Sequence, residues 1–453
     1  MAKKRVIDES KLKRQEQFIQ TWVNNGGIGT LEAVTAFGKT FTTVLIIKKM
    51  LQKNENRLFI IVVPSIQLKE QWIKTLLNEK IPPKNFLVTV INGATIDNQE
   101  MKCTCLILDE VHLYLNGPIF SRIFELVKYK FILGLSATID RNSDGFNLLR
   151  LKAPIIDTIT QQEADMNGWV ADYKEFVLTL ELDEMAREKL DQINSKFKTY
   201  FAKFNHDFDL AMKCKVSKPL AYRFAKERGW QDGMSPQHPW SPQRIAFYSV
   251  MFNRAMLERK EFLYNYQLKV DLVREIVERF NVKSIIFSES TKFADEVAEA
   301  IGPKAISYHS NLPTEVRKVK NKKGETVSKK FGKDRLKKEA ISKFEDNRSK
   351  ITVLSTAKAL NQGTDLPSAQ LAIIASYTSS NLTSIQRRGR VIRKFIDKNG
   401  VQKKAVVIYF AISGSQEETW LKKALANSKP IWTDSIDYIV ENAFTKESFV
   451  EAD

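Results

Sequence analysis

Lys39 stands between Gly38 and Thr40 just ahead of an apolar helical pattern, and Asp109 and Glu110 close the apolar run Cys105-Leu106-Ile107-Leu108. The first group suits a polyphosphate. In Ala33-Val34-Thr35-Ala36-Phe37-Gly38-Lys39-Thr40 the backbone N–H groups can wrap phosphate oxygens, the lysine neutralises them, and the Thr40 hydroxyl helps hold Mg²⁺. The helix that follows, Phe41 to Leu51, turns its positive end toward the anion. The second group suits hydrolysis. Two adjacent carboxylates at the end of a buried strand repel each other unless a cation lies between them, so Asp109 is placed to bind Mg²⁺ through water and Glu110 to orient or deprotonate an attacking water. A chance Gly-Lys-Thr and a strand-to-turn junction with solvated acids are the bland alternatives. Their succession favours splitting of a nucleoside triphosphate. Farther on, Gln386-Arg387-Arg388-Gly389-Arg390-Val391-Ile392-Arg393 supplies arginines that a second domain could bring to the same nucleotide.

Such groups need strands to present them. Leu58 to Val63, Phe86 to Ile91, Cys105 to Leu108 and Phe131 to Leu135 are apolar runs of strand length separated by helical patterns. That alternation predicts parallel strands with crossover helices, and runs apolar throughout predict a sheet covered on both faces. A second series places strands at Ser284 to Phe287, Ala305 to Tyr308, Ile351 to Ser355, Leu371 to Ala375 and Ala405 to Phe410. Between the two series the pattern is mostly helical, with Met185 to Phe204 and Arg244 to Tyr264 interrupted by the turn-rich stretch Gly229 to Pro242.

The bulk properties agree. A chain of 453 residues, 43% hydrophobic, can hold more than one core. With 71 Lys and Arg against 53 Asp and Glu, the net +18 attracts polyphosphate partners, although a merely soluble basic protein would carry it too. Three cysteines cannot all pair, which fits a reducing compartment, and the Cys103-x-Cys105 pair is read as structural, with no metal site claimed there. No apolar run approaches the ~20 residues of a membrane span, and no signal region follows Met1-Ala2-Lys3-Lys4-Arg5. A cytoplasmic protein with no membrane partner is expected.

The ordered motifs resemble a superfamily 2 helicase or translocase of the DExH type over roughly residues 12–180 and 266–412. The DExH box is Asp109-Glu110-Val111-His112; Pro64-Ser65 with Gln71-Trp72 resembles motif Ia, Ser136-Ala137-Thr138 motif III, Thr356 with Gly363-Thr364-Asp365-Leu366-Pro367 motif V, and the Gln386 to Arg393 run motif VI. The resemblance implies an α/β fold of two RecA-like parallel-sheet domains in tandem with an inserted mostly helical region. Residues 1–170 would form the first domain, 171–265 the connection and insert, 266–415 the second domain, and 416–453 a helical extension. It also implies an ATP site with Mg²⁺. Gln15 would read adenine, and Thr35, Gly38, Lys39, Thr40, Gly363 and Asp365 would bind ATP, with Thr40 and Asp109 on the metal. Arg390 and Arg393, three apart on one helical face, would reach the γ-phosphate, and Gln386 the water or the acid pair. His112, Ser136 and Thr138 would couple the ATP cleft to the track. Ala36 departs from the family's glycine, and alanine fits only where no positive φ is required.

Nucleic acid would lie across both domains, held at phosphate and sugar by Pro64, Ser65, Gly93, Ser288, His309, Ser310 and Thr356. Lys318 to Lys338 adds ten Lys or Arg against Glu325 and Asp334, and reads as a basic hairpin or a solvated loop. Lys322, Lys323, Lys329 and Lys330 there could clamp duplex arms. Trp240, in a Pro/Trp turn, either stacks on a base or packs on its own domain. The compact size and short connections resemble phage-encoded enzymes that remodel branched DNA in recombination or replication, so branched or forked DNA is the expected partner, in the host cytoplasm. An RNA helicase, a restriction-type translocase whose nuclease sits on a partner subunit, and a nucleic-acid-binding scaffold with a degenerate ATP site are the rivals.

Overall fold

The computed structural model describes residues 8–91, 101–115, 117–320, 326–358, 360, 366, 368–378, 387–396, 400–426 and 428–444. Gly93, Lys322, Lys323, Gly363, Asp365 and Gln386 lie outside the described residues.

In the first domain β1 (Ile28–Ala33), β2 (Phe59–Val63), β3 (Phe86–Val90), β4 (Met101–Asp109), β5 (Val127–Ser136) and β6 (Ile155–Ile159) form one parallel sheet in the order β3-β2-β4-β5-β1-β6. Its apolar strands are buried on both faces. In β2, Ile61 and Val63 enter one core cluster while Ile60 and Val62 enter another, as the two-residue period of a strand dictates. Helices Lys39–Lys53 and Ile66–Asn78 supply the crossovers on either side of β2.

The second domain is built from β7 (Asp172–Leu180), β8 (Ser284–Ser288), β9 (Ala305–His309), the antiparallel hairpin of β10 (Glu315–Lys320) and β11 (Thr326–Phe331), β12 (Val353–Ala357), β13 (Leu371–Ile374), β14 (Lys404–Ile412) and β15 (Ile431–Thr433). All but the hairpin join a parallel sheet in the order β15-β7-β14-β13-β8-β12-β9. Two expectations change here. The segment 171–265 opens with β7, which pairs with β14 inside the second sheet, and the 416–453 segment contributes β15 as well as helices. The sequence Asp172-Tyr173-Lys174-Glu175 disguises β7, but the Glu175 carboxylate is satisfied by the Tyr409 hydroxyl at 2.8 Å and by Arg388 at 3.4 Å.

Helices Glu184–Ala202, Phe208–Lys213, Lys218–Glu227 and Pro242–Tyr264 form the insert, around a core containing Phe204, Phe224, Trp230 and Phe252. Trp240 packs within it, its ring 4.7 Å from the Arg228 guanidinium carbon. The Lys-rich stretch is the hairpin, followed by helix Lys333–Glu345, whose Glu339 binds Arg317 of β10 at 2.8 Å. Among the described residues no helix is long and apolar enough to cross a membrane.

Candidate active site between the two domains

Ligands of open parallel sheets gather at the carboxyl ends of the strands, and the motifs do so here. β4, β5 and β1 are neighbours, so Asp109, Ser136 and the loop after Ala33 emerge side by side. After Val34 the chain makes a 3-10 turn over Thr35–Phe37, and Gly38 takes φ +92° before helix Lys39–Lys53 begins. Gly38 is therefore the position that needs glycine. Ala36 lies inside the 3-10 turn, a negative-φ conformation open to alanine. The Lys39 ammonium is curled into the loop and donates to the Ala33 carbonyl at 2.8 Å. Gln15 is buried on helix Glu9–Asn24 and its Nε2 donates to the Phe37 carbonyl at 2.9 Å, bracing the turn from the side.

Asp109 ends β4 with one carboxylate oxygen accepting from the Trp72 indole N–H at 2.8 Å. Burial, and after it the neighbouring Glu110 charge, pushes its pKa up to about 6. Glu110 takes φ +53°, a left-handed conformation that L side chains adopt at a strain of about 1–3 kcal/mol. Among the described residues the buried Glu110 Oε2 makes no hydrogen bond, and His112 Nδ1 lies 3.5 Å from it. Thr35 Oγ1 is likewise buried without one. A crowded acid pair, a buried ammonium and orphaned oxygens beside a glycine-hinged loop are what a Mg²⁺-bound nucleotide would satisfy, so the donor set fits ATP.

A polar chain leads away from this pair. His112 Nδ1 lies 2.8 Å from Ser136 Oγ, and the Ser136 hydroxyl donates to the Thr138 carbonyl at 2.8 Å. Because serine has a single proton to give, Nδ1 is the protonated imidazole nitrogen. Burial, then the nearby Lys39 charge, lowers the His112 pKa to about 4, so the ring is neutral. The three residues expected to act together are in contact.

The second domain closes the site. Arg387 is buried against Glu289 and donates to the Ser376 carbonyl at 2.9 Å, anchoring the helical turn 387–391 in its own domain. Arg388 faces Glu175, and Gly389 abuts Thr35. Arg390 and Arg393 line a cavity of about 470 Å³ together with Lys39, Thr40, Asp109 and Glu110. The helical turn stops before Arg393, which lies instead in an antiparallel bridge with Val170. The two arginines thus reach one cavity from a helix and an extended segment, not from one helical face. Lys39 is depressed below the usual lysine range, first by burial and then by Arg393 and Arg390, while Glu110 and Asp109 oppose the shift.

The expected track residues are less open. Ser65 caps helix Ile66–Asn78 through the Leu68 N–H, and Ser288, His309 and Thr356 are buried. His309 donates from Nε2 to Asp295 at 2.8 Å and accepts the Asn311 N–H at 3.2 Å. Pro64 is partly buried, and Ser310, Lys329 and Lys330 are exposed. Sequence reasoning assigned no role in the ATP site to Trp72 or Trp169, which line the same cavity. It also passed over Glu32, which ties β1 to the Ile139 N–H at 2.8 Å and to Arg141 at 2.6 Å.

Residues 8–105 match the family described as type III restriction enzyme, res subunit, and residues 268–395 match the helicase conserved C-terminal domain. A curated relative, the DNA 3'-5' translocase XPB2 of Sulfurisphaera tokodaii, is 24% identical over 400 residues, covering 84% of this chain and 78% of that protein. Among solved structures, the Hef helicase domain of Pyrococcus furiosus superposes with a TM-score of 0.54 at 14% identity, covering 94% of this chain and all of that one. A fragment of a putative HsdR subunit of a type I restriction enzyme from Vibrio vulnificus gives 0.52 at 14% identity, over 93% of this chain and 67% of that chain. These neighbours show the fold, two RecA-like parallel-sheet domains.

Proposed function

We propose that this chain, an ATP-dependent helicase or translocase of superfamily 2 by its two family matches, is a DExH-type motor that moves on DNA and acts at branched or forked sites. The observation that carries the reading is the shared cavity, in which Lys39 and the Asp109-Glu110 pair of one domain meet Arg390 and Arg393 of the other. Loop N–H groups and Lys39 hold the phosphates, and Thr40 and Asp109 are the residues that would hold Mg²⁺, which supplies charge neutralisation when bound. Glu110 orients or deprotonates the attacking water. Charge developing on the γ-phosphate is stabilised by Arg390 and Arg393 only while the domains are closed, so cleavage is tied to a change in their separation. Gln386, just before the buried Arg387, is assigned to the same water. The His112–Ser136–Thr138 chain carries the change toward the strand ends, where Pro64, Ser65 and Ser310 would meet the track, Ser288 and Thr356 being buried beneath it.

DNA as the track is supported by the relative described as a DNA translocase and by the net positive charge. Branched DNA rests on the hairpin β10–β11, which adds exposed lysines to the second domain. The reading also places the protein in the cytoplasm, the host's if phage-encoded. The deciding experiment is an ATPase and unwinding panel over single strands, duplexes, forks, four-way junctions and matched RNA. Forks and junctions should stimulate most. Stimulation by RNA alone would end the DNA assignment, and equal response to every DNA would remove the preference for branches.

A further inference from the structure

The chain passes from the first sheet to the second through residues that end at the nucleotide cavity. After β6 comes helix Gln161–Met166, then Gly168, which turns with φ +60°. Trp169 is still held by the first domain: its ring lies 5.6 Å from that of Phe37 in the phosphate loop, and its Nε1 donates to Ser10 Oγ at 2.8 Å. The next residue belongs to the other domain. Val170 bridges Arg393, and the Ala171 N–H donates to the Ile392 carbonyl at 2.7 Å. The chain changes domains between Trp169 and Val170.

A purine needs a large apolar face and polar groups in its plane. The cavity walls include Leu12, Gln15, Phe37, Phe41, Trp72 and Trp169. Trp72 is committed to Asp109 at the acid end, and Phe41 sits two residues past Lys39 on the first turn of the phosphate helix. Phe37 joins the remaining groups, since its carbonyl accepts from Gln15 and its ring meets Trp169. Lys394, following Arg393, reaches Asp8 at 3.6 Å, and both line the cavity, so the two domains also meet across its rim.

We infer that Trp169 is the aromatic wall of the base subsite, so that an adenine seated beside Gln15 bears directly on the residue at which the interdomain hinge turns. The inference rests on the ATP-site reading above. It makes base recognition, and not only the γ-phosphate, a sensor of domain position.

The test uses the full chain with ADP as the base-carrying probe and pyrophosphate as the base-free one, each measured by calorimetry and as an inhibitor of ATP hydrolysis. Trp169→Leu should weaken ADP roughly tenfold, the equivalent of about 1.4 kcal/mol of lost stacking, and leave pyrophosphate unchanged, while Trp169→Phe restores most of the ADP affinity. ADP should also quench tryptophan emission more in the parent than in Trp169→Phe, which decides the matter even if the leucine variant does not fold. Equal weakening of both probes, or an identical quench in parent and phenylalanine variant, would overturn the role of Trp169 while the ATP site stands. A parent that binds neither probe would overturn both.

Discussion

Gly389 of the second domain lies so close to Thr35 of the phosphate loop that a Cβ added at Gly389 would fall 2.7 Å from Thr35 Oγ1 and 2.8 Å from Thr35 Cβ. The contact crosses the cleft. It explains a glycine in an arginine-rich run by close approach and not by backbone strain, and it sets how far Arg390 and Arg393 can advance on Lys39. Gly389→Ala should wedge the cleft, and because overpacking costs about 1–3 kcal/mol, the turnover rate at saturating ATP and DNA should fall about 10- to 100-fold. Normal turnover in this variant would mean that hydrolysis does not need the two domains this close.

Each side of the cavity can be removed separately. Lys39→Ala and Glu110→Gln should abolish ATP turnover while DNA binding survives, and Arg393→Ala should bind nucleotide yet turn over slowly. Turnover like the parent's in both Lys39→Ala and Glu110→Gln would refute the catalytic assignment. Glu110 offers an internal control, because its φ of +53° strains any side chain. Glu110→Gly should be inactive but about 1 kcal/mol more stable than Glu110→Gln, read from denaturant midpoints.

The pattern of what could be foreseen follows the same physics. Strands buried on both faces announce themselves as apolar runs, as in Phe59-Ile60-Ile61-Val62-Val63, and motifs at their ends can be read directly. β1 hides because Glu32 sits within it, a carboxylate that becomes acceptable only once Arg141 and the Ile139 N–H arrive from far along the chain. β7 hides in the same way behind Glu175. The arginines were visible as a spacing, but the helix ends before Arg393 because 392–393 pair with the linker at 170–171. Trp169 carries no local signature at all: its place at the cavity depends on Phe37 and Ser10, more than a hundred residues away.

The lysine hairpin divides into two faces. Cross-strand pairing sets Arg317 opposite Lys329 and Val316 opposite Lys330, so Lys329 shares a face with the arginine bound to Glu339, and Lys330 lies on the other. Neutralising Lys322, Lys323, Lys329 and Lys330 together should weaken DNA binding and flatten the slope of log affinity against log salt by about 3–4 if all four touch phosphate. Single variants at Lys329 and Lys330 should differ, one shifting the slope by about 1 and the other leaving it, which identifies the face that meets DNA. An unchanged slope in the quadruple variant would assign the hairpin to solvation.

Acid should act on the coupling chain through His112. Its pKa is about 4 when folded against the ordinary 6.5, so the unfolded chain takes up this proton first. The stabilisation from a neutral buried ring is whole above pH 6.5 and is lost as pH falls toward 4, a loss of at most about 3 kcal/mol. Asp109 works in the opposite direction, since its folded pKa of about 6 exceeds the ordinary 3.8 and acid in that interval favours the folded form. The two effects overlap in a single pH curve, and the difference between parent and His112→Gln separates them. Unfolding free energy of the parent should decline more steeply than that of the variant between pH 6.5 and 4, and parallel curves would show that the imidazole is open to water and not locked against Ser136.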